Sequence, residues 1–155
     1  MTKRTILCTF VTLFAAVAVC FAAGDLIMGT WKLNEAKSKI SPGAAKNVTG
    51  VYAAIGDSVK VTVDGVDANG EPAHNEWTGK FDGKDYPITG DPTADTRAYT
   101  RVDDHTLTFT NKKGANVALT GRIVISPGGK SRTVTSTGTD AKGNKMSSTT
   151  VYDKQ

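Results

Sequence analysis

From residue 28 onward the chain is cut into short runs by glycine-bearing turns, at a spacing of roughly 8–12 residues. This punctuation leaves no stretch long enough for a helical bundle or a parallel sheet with crossover helices. All 16 glycines lie after residue 22, mostly between periodic runs, where tight turns need a positive φ. The runs themselves are β-branched. Residues 23–155 contain 18 Thr and 11 Val but only four Leu and three Glu, so strand formers dominate and strong helix formers are scarce. The alternation is cleanest over Ser58–Val66, with Val59, Val61 and Val63 on one face and Lys60, Thr62 and Asp64 on the other.

The pattern predicts strands over Met28–Asn34, Asn47–Ile55, Ser58–Val66, Ala73–Phe81, Asp85–Ile88, Thr96–Val102, Thr106–Asn111, Ala115–Ser126, Ser131–Thr139 and Lys145–Asp153. Glu35–Lys46 is a loop with room for a short helix, ended by Ser41-Pro42-Gly43. Asn69-Gly70 is the strongest hairpin signal, and Pro87 limits the fifth strand. Such a train folds as an antiparallel sandwich or barrel. No long crossover follows residue 47, which favours an all-β, antiparallel, up-and-down (meander) β-barrel of 8–10 strands, and closure removes the exposed edges.

Residues 1–22 are different in kind. Lys3 and Arg4 precede an apolar run from Ile6 to Ala18, and small residues follow at Ala22, Ala23 and Gly24. This is the layout of a signal peptide, cut after Ala22 or one residue later, and it implies a secreted or periplasmic protein. The apolar core is shorter than the roughly 20 residues that span a bilayer, so no stable membrane anchor is expected after cleavage. Lipidation at Cys20 is disfavoured, because Val17-Ala18-Val19 lacks the small residue that should precede the cysteine. Cys8 and Cys20 are the only cysteines, so residues 23–155, taken as one domain, have no disulfide or thiol chemistry. They carry 17 basic and 15 acidic residues, a net charge of +2 that offers no footprint for nucleic acid.

Chemistry-bearing constellations are few. Two histidines, His74 and His105, without supporting carboxylate spacing make a poor metal or haem site, and no cofactor is expected. There is no Gly-x-Ser-x-Gly elbow and no cysteine nucleophile after residue 22, so no enzymatic activity is expected. Trp77 and Phe81 share a strand face and, with Val59, Val61, Leu119 and Ile123, are candidate walls of an apolar interior; ordinary core packing is the alternative. Thr133, Thr135, Thr137 and Thr139 form a ladder on one strand face, with Ser148 and Thr150 continuing the polar character on the next.

Gly29-Thr30-Trp31-Lys32-Leu33 at the first strand and Thr150-Val151-Tyr152-Asp153-Lys154 at the last resemble the calycin superfamily, the lipocalins and fatty-acid-binding proteins. The resemblance implies a lipocalin-like barrel over 23–155 that binds a small hydrophobic or amphipathic, lipid-like ligand non-covalently, as a monomer. It implies a structural role for Gly29 and Trp31, with Trp31 plugging one end and a late-strand arginine, Arg122 or Arg132, stacked on its ring. It implies a ligand-carboxylate site at an Arg-x-Tyr on the last strand, where Tyr152 is kept but Thr150 replaces the arginine. Arg97, Tyr99 and Arg101 share a face of the sixth strand and are candidates for a substitute clamp, the alternative being a solvated outer face. The competing function is a cavity-less envelope or extracellular interaction barrel with no small-molecule ligand.

Overall fold

The computed structural model describes residues 24–139 and 143–155; the predicted signal peptide, with Cys8 and Cys20, lies outside them. Ten strands close into one antiparallel up-and-down barrel: β1 (Gly29–Lys39), β2 (Lys46–Ile55), β3 (Ser58–Val66), β4 (Pro72–Gly79), β5 (Tyr86–Thr89), β6 (Thr96–Asp103), β7 (Thr106–Lys113), β8 (Asn116–Ile125), β9 (Ser131–Thr139) and β10 (Lys145–Lys154). Each strand pairs with its sequence neighbours, and β1 pairs with β10 to complete the ring. The meander follows from the short turns, which permit only antiparallel neighbours.

The short helix allowed for within Glu35–Lys46 does not form. Instead β1 runs on to Lys39 and, past an irregularity between Asn34 and Lys39, pairs again with Thr149 of β10. Side chains hold this extension. Asn34 Nδ2 donates to Asp153 Oδ2 (2.7 Å), and Ser38 Oγ donates to the Asn34 carbonyl while accepting the Val151 amide. Among the described residues no helix is long and apolar enough to cross a membrane.

The two ends of the barrel differ. At one end Trp31 is fully buried, and its Nε1 donates to the Ile27 carbonyl at 2.7 Å, so the chain before β1 folds across the opening. Ile27, Leu107, Ile123 and Ile125 belong to the same buried cluster. Lys154 Nζ donates to the Leu26 carbonyl from the last strand and ties down the same segment. The other end is rimmed, among the described residues, by the β1–β2, β3–β4, β5–β6 and β7–β8 connections.

Aspartates fix several turns. Asp67 Oδ1 accepts the amides of Asn69 (2.7 Å) and Glu71 (3.0 Å), Asp82 accepts that of Lys84 and Asp103 that of His105. These backbone donors hold the three carboxyls below their ordinary range; at Asp95 the Lys113 ammonium does so first, with the Gly114 amide second. A depressed carboxyl stabilises the fold fully above its unfolded pKa, about 3.9, and loses that contribution as pH falls through the folded value. The urea midpoint is therefore expected to be flat from pH 7 to about 5 and to drop progressively below about pH 4. A midpoint unchanged at pH 3 would show that these turns do not contribute.

Candidate functional site

Inward-facing positions follow strand parity from Trp31, and they build two unlike walls. Across β3–β6 the interior is large and tightly packed. Val59, Val61 and Val63, Trp77, Ile88 and Tyr99 are all buried. Trp77 is the hub: its ring stacks on Phe81 (6.3 Å, 7°) and meets Tyr86 and Tyr99 edge-on at 5.8 and 4.9 Å. Its Nε1 donates to the Arg97 carbonyl at 2.8 Å, so the buried indole is satisfied. Across β8–β10 the inward positions of the open half are small or polar and only half-buried (Gly121, Ser136, Gly138, Ser148 and Thr150, with Leu119 and Met146 nearer the rim), whereas toward the closed end Ile123, Ile125, Arg132 and Tyr152 are buried. Gly121 is required by its neighbour, since a Cβ there would lie 2.3 Å from the Phe109 ring, which fills that space. The Thr133–Thr139 ladder points the other way, onto the outer wall; Ser148 and Thr150 lie inside, on the face opposite to it.

Arg97, Tyr99 and Arg101 occupy the inward face of β6. Both arginines are already engaged. Arg97, 7% exposed, donates from Nε to Asn111 Oδ1 at 2.9 Å and stands 3.9 Å from Asp91. Arg101 pairs with Asp25 of the segment before β1 and lies over the Phe81 ring. The two guanidiniums serve opposite ends of the barrel, so the structure does not bring them to one point. Tyr99 lies between them, with its hydroxyl 3.3 Å from that of Tyr52. Tyr152 is buried near the closed end, its hydroxyl donating to the Asn47 carbonyl.

Of the two arginines considered for Trp31, the structure selects Arg132; Arg122 is exposed on the outer wall. Arg132 is 5% exposed, and its guanidinium carbon sits 4.9 Å from the Trp31 ring, 4.8 Å from Tyr52 and 4.9 Å from Tyr152. Each such contact contributes about 0.5–2 kcal/mol. Its Nε and Nη1 are buried and have no hydrogen-bond partner among the described residues, each at a cost of about 1–3 kcal/mol. Burial pushes the Tyr52 phenol up, but Arg132, the Tyr99 hydroxyl and Arg97 outweigh it and hold that phenol below the ordinary tyrosine value. Tyr99 and Tyr152 move the opposite way, raised chiefly by burial. Tyr52, Phe109 and Asn111 were missed in the sequence reading; strand parity extended from Trp31 and Tyr99 would have marked them as inward.

Two recesses are open to solvent on the outer wall, one lined by Thr108, Thr110, Thr120, Arg122 and Thr135, the other by Val117, Thr139, Lys145 and Ser147. No group of three or more His, Cys, Asp or Glu able to hold a metal occurs among the described residues.

No known family model and no curated protein matches the chain. Solved structures similar to it include designed barrels. "EF1p2_mFAP2b bound to DFHBI" is 13% identical, covering 84% of this chain and 94% of that one, with a TM-score of 0.47. The redesigned barrel b11L5F_LGL is 14% identical (84% and 92% covered, TM-score 0.46), and mFAP1 bound to DFHBI is 17% identical (83% and 95%, TM-score 0.43). At these values the comparisons add no argument about a ligand.

Proposed function

We propose that this protein is a secreted or periplasmic calycin-like carrier, a monomeric non-enzymatic barrel that holds one small hydrophobic or amphipathic molecule at its open end. The observation that carries this reading is the asymmetry of the interior. The small, half-buried residues Ser136, Gly138, Ser148 and Thr150 on β9–β10 share the interior with the aromatic cluster of Trp77, Tyr99 and Phe109. A ligand lying on the small-residue wall buries its apolar surface against the rings, at about 25 cal/mol per Å². Toward the open end Arg97, already bonded to Asn111, would have to share that partner to orient a polar group of the ligand.

The second reading is a packed interaction barrel. Burial of the Trp77–Tyr99 hub and the position of both recesses on the outer wall favour it. The two readings separate on binding. The carrier reading expects a lipid-sized adduct in native mass spectrometry of freshly purified protein, and saturable binding of the neutral probe N-phenylnaphthylamine. Ser136→Phe, which fills the small-residue wall, is expected to weaken probe binding at least about tenfold while leaving the β-sheet circular dichroism spectrum unchanged. No adduct and no probe binding would leave the packed barrel.

A further inference from the structure

We propose that the outer wall formed by β7–β10 is a docking face for a linear acidic polysaccharide. The proposal does not depend on what the interior holds. Two adjacent cross-strand rows build the face. Thr108, Arg122, Thr135 and Thr149 are register partners across the four strands. Thr110, Thr120, Thr137 and Ser147 form the next row. These positions alternate with the inward ones, so all eight side chains leave the wall on its solvent side. The hydroxyls of Thr120 and Thr137 lie 3.2 Å apart.

The rows floor two recesses of about 310 and 500 Å³, which share Thr120 and Thr137 and so run together as one open trough. Arg122 lies in the first and Lys145 in the second. Arg122 pairs in register with Thr135 and Lys145 with Thr139. Strand geometry therefore sets the two cationic residues about 13 Å apart along the strands and about 10 Å across them, roughly 16 Å in all.

Charge sets this face apart from the rest of the surface. The chain has 15 Asp and Glu, yet β7, β8 and β9 contain none, and β10 has only Asp153, which is taken up by Asn34. Exposed cations elsewhere meet carboxylates, as Lys60 meets Glu76, Lys80 meets Asp57 and Lys113 meets Asp95. Among the described residues neither Arg122 nor Lys145 forms an ion pair. Arg122 acts on Asp103 of the β6–β7 turn only as a lesser influence, behind the His105 amide.

This combination selects the occupant. Threonine hydroxyls both donate and accept, as sugar hydroxyls do, and the unmatched cations take carboxylate or sulfate groups along the chain. A single small anion cannot reach both cations. An acidic peptide docks by adding a strand at a free sheet edge, and the closed barrel has none. Single-stranded nucleic acid stacks its bases on aromatic rings, but the aromatic residues of these strands, Phe109 and Tyr152, are turned inward.

The test is calorimetric titration of the purified protein with sodium polygalacturonate and with dextran sulfate, against neutral dextran and sodium polyglutamate. At least one acidic polysaccharide is expected to bind saturably, with affinity that falls as salt is added, and the tighter of the two identifies the acid group. Neutral dextran should not bind, and polyglutamate should bind at least about tenfold more weakly than the better polysaccharide. Arg122→Ala and Lys145→Ala should each weaken binding about threefold or more. The double variant Thr120→Val/Thr137→Val keeps every charge and removes two hydroxyls; it should weaken binding by about threefold as well. Lys60→Ala, on β3 and away from the face, should leave affinity unchanged. All of these side chains except Thr137 and Thr120, which become β-branched valines, are solvent-facing charges, so circular dichroism spectra should not change. Absence of binding to both acidic polysaccharides overturns the proposal. So does polyglutamate binding as tightly, an unaltered affinity in the threonine double variant, or a loss in Lys60→Ala equal to that in Arg122→Ala, each of which would reduce the contact to diffuse charge.

Discussion

Trp31→Ala is expected to lower the unfolding free energy by about 3–5 kcal/mol, the range for truncating a buried large aromatic. The loss has three sources. Removing the fully buried ring leaves a void in the buried cluster. The Ile27 carbonyl loses its indole donor, which loosens the segment that closes the barrel. Arg132 and Lys154, which contact the same ring at 4.9 and 5.2 Å, both lose a cation–π partner. Trp31→Phe keeps an aromatic face but not the donor, and should cost roughly half as much. Urea denaturation followed by circular dichroism checks both. A loss below about 1 kcal/mol for Trp31→Ala would show that the closed end contributes little to stability.

Gly90→Ala is expected to cost about 3–5 kcal/mol by the same measurement, although it adds a single methyl group on an exposed loop. Gly90 has φ of +79°, which an alanine adopts at a penalty of about 1–2 kcal/mol. The added Cβ would also stand 2.2 Å from the His74 carbonyl oxygen, a backbone atom that moves only with β4. Gly114→Ala is the control, with φ of +57° but nothing within 4 Å of the Cβ; it should show the conformational penalty alone. Equal losses at the two sites would mean that the β4 backbone yields to the methyl group.

Much of the barrel was legible in the sequence. Alternation at Val59, Val61 and Val63 marked the inward face of β3, and Pro87 limited β5, which spans only Tyr86–Thr89. The end of β1 was not legible. Glu35–Lys39 has no alternation of its own, and it is held extended by Asp153 and Val151, more than a hundred residues away. The interior polar groups were legible in part. Parity put Arg97, Tyr99 and Arg101 on one face, but nothing local showed that this face was inward, or that Asp25 and Asn111 would take up the two arginines.

The sequence by itself determined an all-β chain with short turns and a meander order, because strand period, β-branching and glycine placement are local properties. Only the tertiary structure decided that the ring closes through β1 and β10, that Arg132 rather than Arg122 meets Trp31, and that the buried Arg132 Nε and Nη1 find no hydrogen-bond partner among the described residues. Those outcomes depend on register between distant strands. A shift of one residue would exchange every inward and outward side chain of a strand, and register is set by the closed barrel as a whole.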